Sequence, residues 1–207
     1  MRAILFSFAS LAALAAAFPA SAEQGDFLIR ARGIGIFPST DANVVPLGGT
    51  VDADDAYVPE VDFSYFLTDN LAVELIAATA RHDVTWRATD GSGATIDLGS
   101  VRLLPPTLTL QYHFTQLGAL KPYVGGGVNF TWFLDENDPA GLNIAYDNQF
   151  APAVQFGVDY FVTERAFVNA DVKKIFLETN ADINSGFVTA EVDLNPWIVG
   201  FGVGFRF

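Results

Sequence analysis

Few side chains in this sequence could do chemistry by themselves, and most of those are charged. It has two histidines, His82 and His113, and no cysteine. His82 stands beside Asp83, with Thr79 and Thr85 close in sequence. Hydrolysis or acyl transfer at a surface would need such a histidine joined to a serine nucleophile and an acid. No serine completes that pattern, so His82 reads as a polar residue at a rim. The run Asp135-Glu136-Asn137-Asp138 offers the hard oxygen ligands that Ca²⁺ takes, but not the spacing of a calcium loop. It reads as a solvated acidic loop. The glycines Gly125-Gly126-Gly127 and Gly200, Gly202 and Gly204 do not make phosphate loops. No helix and no Lys-Ser/Thr pair follows them, and close packing or strand curvature explains them better. No catalytic set, metal site or cofactor site is expected. What remains is a group of charges, Arg30, Arg32, Glu60, Asp62, Glu74, Asp159, Asp171, Lys173 and Arg206, with Gln111 and His113. Their meaning depends on the elements that hold them.

Those elements follow from composition and period. Hydrophobic residues make up 51% of the 207 and charged ones only 17%, which is apolar for a soluble domain of this length. Met1 and Arg2, the apolar run Ile4 to Phe18 and the small residues Ala20-Ser21-Ala22 have the order of a secretory leader. The apolar run falls short of the ~20 residues that a spanning helix needs. Residues 1–22 are therefore expected to be a signal peptide, and 23–207 a single domain. No later run is long enough for a helical span. An exported chain without cysteine has neither a disulfide framework nor a thiolate site. The formal charge is −13, and −14 once Arg2 leaves with the leader. That argues against a nucleic-acid partner, which needs a basic face.

The mature part alternates apolar and polar residues with period two, the mark of strands. Eight runs are expected, at 26–37, 57–67, 71–81, 101–114, 122–134, 149–162, 166–178 and 191–207. Each reaches the ~9–11 residues with which a tilted strand crosses a bilayer. The connections at 68–70, 115–121 and 163–165 are short, whereas those at 38–56, 82–100, 135–148 and 179–190 are long. Short turns on one side and long loops on the other describe an all-β, eight-stranded antiparallel transmembrane β-barrel, with short periplasmic turns and long extracellular loops. In the last run Trp197, Val199, Phe201, Val203, Phe205 and Phe207 share the lipid face, and Ile198, Gly200, Gly202, Gly204 and Arg206 point inward. Acids cluster at 41–60, 135–147 and 182–193, in or beside the expected outer loops. Acidic outer loops suit divalent cations that bridge lipopolysaccharide.

The charges then fall inside the barrel. A lumen of eight strands is just wide enough for side chains to fill, and buried charges must pair. Arg30, Arg32, Glu60, Asp62, Glu74, Asp159 and Arg206 are expected to plug the lumen. Ile34, Ile36 and Phe66 also point inward by alternation, which makes them candidates for an apolar ligand path. Phe66 stands at the periplasmic end of its run. Pro105-Pro106 and Pro152 interrupt strands. A closed barrel has no edge to receive a proline, so Pro106 and Pro152 are candidate sites of a lateral gap, with a simple bulge as the alternative.

Several blocks carry a family resemblance. Thr68-Asp69-Asn70-Leu71-Ala72-Val73-Glu74-Leu75-Ile76-Ala77-Ala78-Thr79 resembles a T-D-N-x-x-V-E-L-x-A-A-T stretch of the OmpW family. Leu104-Pro105-Pro106-Thr107-Leu108 is similar to its L-P-P-T-L segment, and Lys121 to Thr131 to its P-Y-V-G-x-G-x-N-Y-T strand. Gly157-Val158-Asp159-Tyr160 matches G-V-D-Y, and Asn195-Pro196-Trp197 through Phe205-Arg206-Phe207 resembles its D-P-W…G-Y-R-F ending. The blocks run in order across almost the whole mature chain. The resemblance implies an outer-membrane barrel with a narrow, largely hydrophobic interior that binds or passes small apolar molecules and releases them sideways into the bilayer. Links to stress responses, and service as a phage or bacteriocin receptor, are also implied. The terminal aromatic of the family resembles the signal read by the outer-membrane assembly machinery, and Phe207 fills that place. The expected partners are thus membrane lipid, lipopolysaccharide, the assembly machinery and a small hydrophobic ligand. A structural or receptor barrel without transport is the alternative, and an enzyme ranks last.

Overall fold

The computed structural model describes residues 23–39, 41–45, 48–137, 144–183 and 188–207; the leader expected at 1–22 lies outside them. Eight strands close on themselves. They are β1 (Phe27–Phe37), β4 (Ala56–Phe66), β5 (Leu71–Ala78), β8 (Thr107–His113), β9 (Leu120–Asn137), β11 (Gln149–Phe161), β12 (Ala166–Ile175) and β15 (Trp197–Arg206). Each pairs antiparallel with both neighbours, and β9 with β11 and β15 with β1 complete the ring. Closure satisfies the ladder within the wall, which is the condition for standing in hydrocarbon.

Alternation sorts the two faces. Leu108, Leu110 and Tyr112 are exposed on the outside of β8, while Thr107, Thr109, Gln111 and His113 are buried inside. On β15 Phe201 and Val203 face out and Ile198 in. Aromatic rings gather at two levels, as side chains with an apolar body and a polar edge do at bilayer boundaries. Near the outer end Phe130 touches Trp132 and Phe150, with centroids 5.3 and 4.5 Å apart, and Phe37 meets Tyr57 at 6.0 Å. At the periplasmic end Phe207 packs on Phe205 and Phe27, and Phe27 on Phe63. Phe207 also donates its N–H to the Phe27 carbonyl, which ties the C-terminus to the first strand.

The long connections are more ordered than loops. The described parts form β2 (Asp41–Val45), β3 (Thr50–Ala53), β6 (Ala80–Arg87), β7 (Thr95–Leu104), β10 (Ile144–Tyr146), β13 (Glu178–Ile183) and β14 (Val188–Asp193). One sheet, β3-β6-β7, continues the wall from the top of β9, and a separate sheet runs β10-β13-β14-β2. Inward residues from both, Val44, Val51, Val84, Leu98, Val101 and Val192 among them, pack into one apolar cluster. Alternation therefore runs on through 80–84, inside a stretch that acids and glycines make look like loop, and on β7 it shifts at the bulge beside Leu98, so that Leu98 and Val101 are both buried. The side chains of 135–138 lie outside the described residues.

Candidate functional site

Strand β1 gives the vertical order of the lumen. Its inward residues are Leu28, Arg30, Arg32, Ile34 and Ile36. The register sets Arg30 opposite Asp62, Arg32 opposite Glu60, Ile34 opposite Val58 and Ile36 opposite Ala56 on β4. The interior is thus layered, with an apolar floor, a charged middle and an apolar upper chamber.

Leu28, Phe66, Phe161 and Phe167 make the floor. Phe66 belongs here, not with Ile34 and Ile36, because β4 runs antiparallel to β1 and brings its last residue down to the level of Leu28. Arg206 is lower still. It reaches Asp26 at 3.5 Å and the Glu164 carbonyl at 2.8 Å, half-buried at the periplasmic mouth and apart from the central charges.

Arg30 is the hub of the middle layer. Its Nε and Nη2 donate to the two oxygens of Asp159 at 3.1 and 2.7 Å, a bidentate pair. Its Nη1 reaches Asp62 at 3.0 Å, Ser64 Oγ at 2.7 Å and Glu74 at 3.3 Å. Tyr123 and Phe167 lie over the guanidinium, with centroids 5.3 and 5.5 Å away. Arg32 stands next to it, with Nε 2.9 Å from Glu60 and Nη2 2.6 Å from Asp62. Neither contact has hydrogen-bond alignment, but Arg32 Nη1 donates to Asn169 Oδ1 at 3.2 Å and to Tyr123 Oη at 3.4 Å, so these bonds and charge attraction hold Arg32 in place. Lys173 donates to Glu60 at 2.7 Å and lies 3.3 Å from Asp171. Asp171 also accepts from Tyr123 Oη and Gln155 Nε2, both at 2.8 Å, and Glu74 accepts from Gln111 at 2.6 Å. Among the described residues this layer sets three cations against five carboxylates, all essentially closed to solvent. Glycines make room for its rings. A Cβ on Gly157 would stand 2.3 Å from Tyr123, and one on Gly204 2.2 Å from the Phe167 ring.

Above this layer the barrel is apolar. Ile34, Ile36, Ala153, Ile175 and Ile198 line its lower part and merge into the cluster of the upper sheets. Ile36, Ile175 and Ile198, together with residues of the upper sheets, enclose a cavity of about 80 Å³. Among the described residues, the polar side chains on its lining are His82, Thr131 and Thr179. Alternation from Ala80 through His82 to Val84 carries the histidine inward, so it lines the chamber instead of standing on a rim. Its Nδ1 lies 2.7 Å from the Asp54 carbonyl. No serine–histidine–acid arrangement surrounds it among the described residues.

The two proline sites differ. At Pro105-Pro106 the wall is stitched shut. Phe130 N–H donates to the Pro106 carbonyl at 2.9 Å, and the Asn129 amide reaches the Pro105 carbonyl and Thr107 Oγ1 at 3.1 and 2.8 Å. At Pro152 the ring projects outward and the β11–β12 ladder stops. Phe176 N–H donates to the Pro152 carbonyl, but proline has no N–H to return the bond. The next backbone bond upward joins Asp147 N–H to the Asn180 carbonyl at 3.2 Å. Between them, among the described residues, no backbone bond joins 148–151 to 177–179. That is a slot about 10–13 Å long at about 3.3 Å per residue. Ala151 and Leu177 close it from inside, and Phe150, 74% exposed, flanks it from outside.

A closed eight-stranded wall, an apolar outer face, two aromatic girdles and a charge-filled lumen define an outer-membrane β-barrel. The OmpW family model matches residues 23–207, and the chain belongs to the OmpW family. Over 185 residues it is 44% identical to an uncharacterized outer-membrane protein, y4mB, of Sinorhizobium fredii, covering 86% of this chain and 79% of that one. It is 32% identical over 167 residues to the dibenzothiophene metabolism operon protein PahQ of Pseudomonas aeruginosa, covering 77% of this chain and 76% of that one. The crystal structure of the outer membrane protein OprG from Pseudomonas aeruginosa superposes with a TM-score of 0.82 at 27% identity, covering 91% of this chain and 98% of that one. The protein resides in the outer membrane, in contact with its lipid.

Proposed function

We propose that this barrel takes small hydrophobic molecules from outside into the upper chamber and passes them sideways into the outer leaflet. The observation that carries the reading is the layering. An apolar chamber rests on a middle layer packed with paired charges, and the wall beside that chamber lacks backbone bonds next to Pro152. An apolar molecule gains nothing by crossing dehydrated charges, whereas burial beside Ile175, Leu177 and Ile198 favours it by about 25 cal/mol per Å². The side exit puts it in hydrocarbon without meeting water. The name of PahQ, which ties that relative to dibenzothiophene metabolism, supports an apolar cargo. Ile34, Ile36 and Pro152 belong to the path in this reading; Phe66, Arg30, Arg32, Glu60, Asp62, Glu74 and Asp159 belong to the seal beneath it. Pro106 is part of the closed wall, and Arg206 braces the periplasmic rim. Export by the leader at 1–22, insertion by the assembly machinery through Phe207, and lipopolysaccharide around the outer girdle complete the proposal.

The test is transfer of a fluorescent apolar tracer into liposomes that hold the purified barrel, measured together with ionic conductance. Faster tracer transfer with no measurable conductance is expected. Transfer no faster than in empty liposomes would favour the structural or receptor alternative, and conductance typical of an open pore would overturn the charged seal.

A further inference from the structure

We infer that His82 makes the chamber selective for apolar molecules that carry one hydrogen-bond donor, a hydroxyl or an N–H. The inference rests on the proposed function and names the ligand class.

His82 is 6% exposed and lines the cavity. Its Nδ1 faces the Asp54 carbonyl at 2.7 Å, and a carbonyl oxygen can only accept, so Nδ1 carries the hydrogen. In that tautomer the lone pair is on Nε2, and no described residue donates to it. The other two polar side chains of the lining have committed their hydrogens. Thr131 Oγ1 donates to Asn129 Oδ1 at 2.7 Å, and the direction is fixed because Asn129 Nδ2 is taken up by the Pro105 carbonyl. Thr179 Oγ1 donates to the Asp147 carbonyl at 3.1 Å. Pro38, Pro105 and Pro196, also on the lining, have no N–H to offer. Among the described residues, the polar side chains of an otherwise apolar chamber thus present acceptors alone. A phenol, an aliphatic alcohol or an indole-like ring satisfies one of them. A carboxylate finds no side-chain donor and has its charge to desolvate.

Three probes of nearly one shape separate these cases: p-xylene, p-cresol and p-toluate. Each is titrated into the full mature barrel in nanodiscs, with the methyl resonances of Val101 and Ile198 and the imidazole ¹⁵N resonances of His82 as readouts. Affinities are taken relative to probe dissolved in the lipid. One neutral hydrogen bond predicts p-cresol binding about three- to tenfold tighter than p-xylene, a shift at Nε2 with p-cresol alone, and no methyl shifts with p-toluate. In His82→Phe the cresol-to-xylene ratio falls to about one while p-xylene still moves the chamber methyls, which separates loss of the acceptor from loss of the fold. Equal binding of the two neutral probes to the native barrel, or a preference that survives His82→Phe, overturns the inference and leaves the chamber intact. If neither neutral probe moves the chamber methyls, the chamber itself fails as a binding site and the selectivity falls with it.

Discussion

Replacing Arg30 by methionine tests whether the middle layer is a dry seal. The guanidinium serves Asp159 through two bonds and Asp62, Glu74 and Ser64 through Nη1. Methionine fills much of the volume, so the main loss is electrostatic. Three buried carboxylates lose a partner, and Arg32 and Lys173 remain against five acids. Removing one member of a buried ion pair costs about 3–5 kcal/mol, and the shared acids put this site at the upper end. With a urea dependence of roughly 1–3 kcal/mol per molar, the unfolding midpoint falls by about 1 M or more. The assay is urea unfolding of the barrel in lipid bilayers, followed by the fluorescence of Trp86, Trp132 and Trp197. A second substitution, Asp159→Leu, recovers part of the loss, because it removes one orphaned charge. The reasoning is refuted if Arg30→Met costs less than about 1 kcal/mol. That is the range of exposed pairs, and it would mean that water already hydrates the layer.

Other outcomes follow from single contacts. Asn129→Leu removes the amide that bridges the Pro105 carbonyl and Thr107. A loss of about 1–3 kcal/mol in the same assay is expected for the Thr131 hydroxyl left without its acceptor, with faster amide hydrogen exchange at Leu104 and Thr107. Phe207→Ala removes the ring that packs edge-on against Phe205 and tilted against Phe27; slower appearance of the compact, unboiled gel species after synthesis is expected if this ring is read during assembly. Sequencing of the mature protein from outer membranes should begin at Glu23, and any other start moves the leader boundary.

Much of the architecture was legible in the sequence, because period two with aromatic outward positions, short turns alternating with long connections and no cysteine together point to a membrane barrel. The outward face of β15 and the inward charges of β1 and β4 needed only alternation. Depth did not follow from alternation alone. Phe66 and Ile34 both point inward, yet they stand on opposite sides of the charged layer, and only the pairing register separates them. The rim reading of His82 came from taking 82–100 as a loop, because the acids and glycines there hid an alternation that carries the strand upward. The two prolines looked alike in sequence. What distinguishes them is a side chain from another strand, Asn129, which seals one break, while nothing equivalent bridges 148–151 and 177–179 among the described residues.

The slot beside Pro152 is best tested by locking it. Continuing the β11–β12 register past Ala153 and Ile175 sets Ala151 opposite Leu177, one step beyond the last backbone bond. A disulfide between Ala151→Cys and Leu177→Cys would therefore close the slot in an otherwise cysteine-free protein. Tracer transfer into liposomes should fall severalfold when the pair is oxidised and return on reduction. Transfer that stays at the native rate with the disulfide formed would show that cargo does not leave by this side.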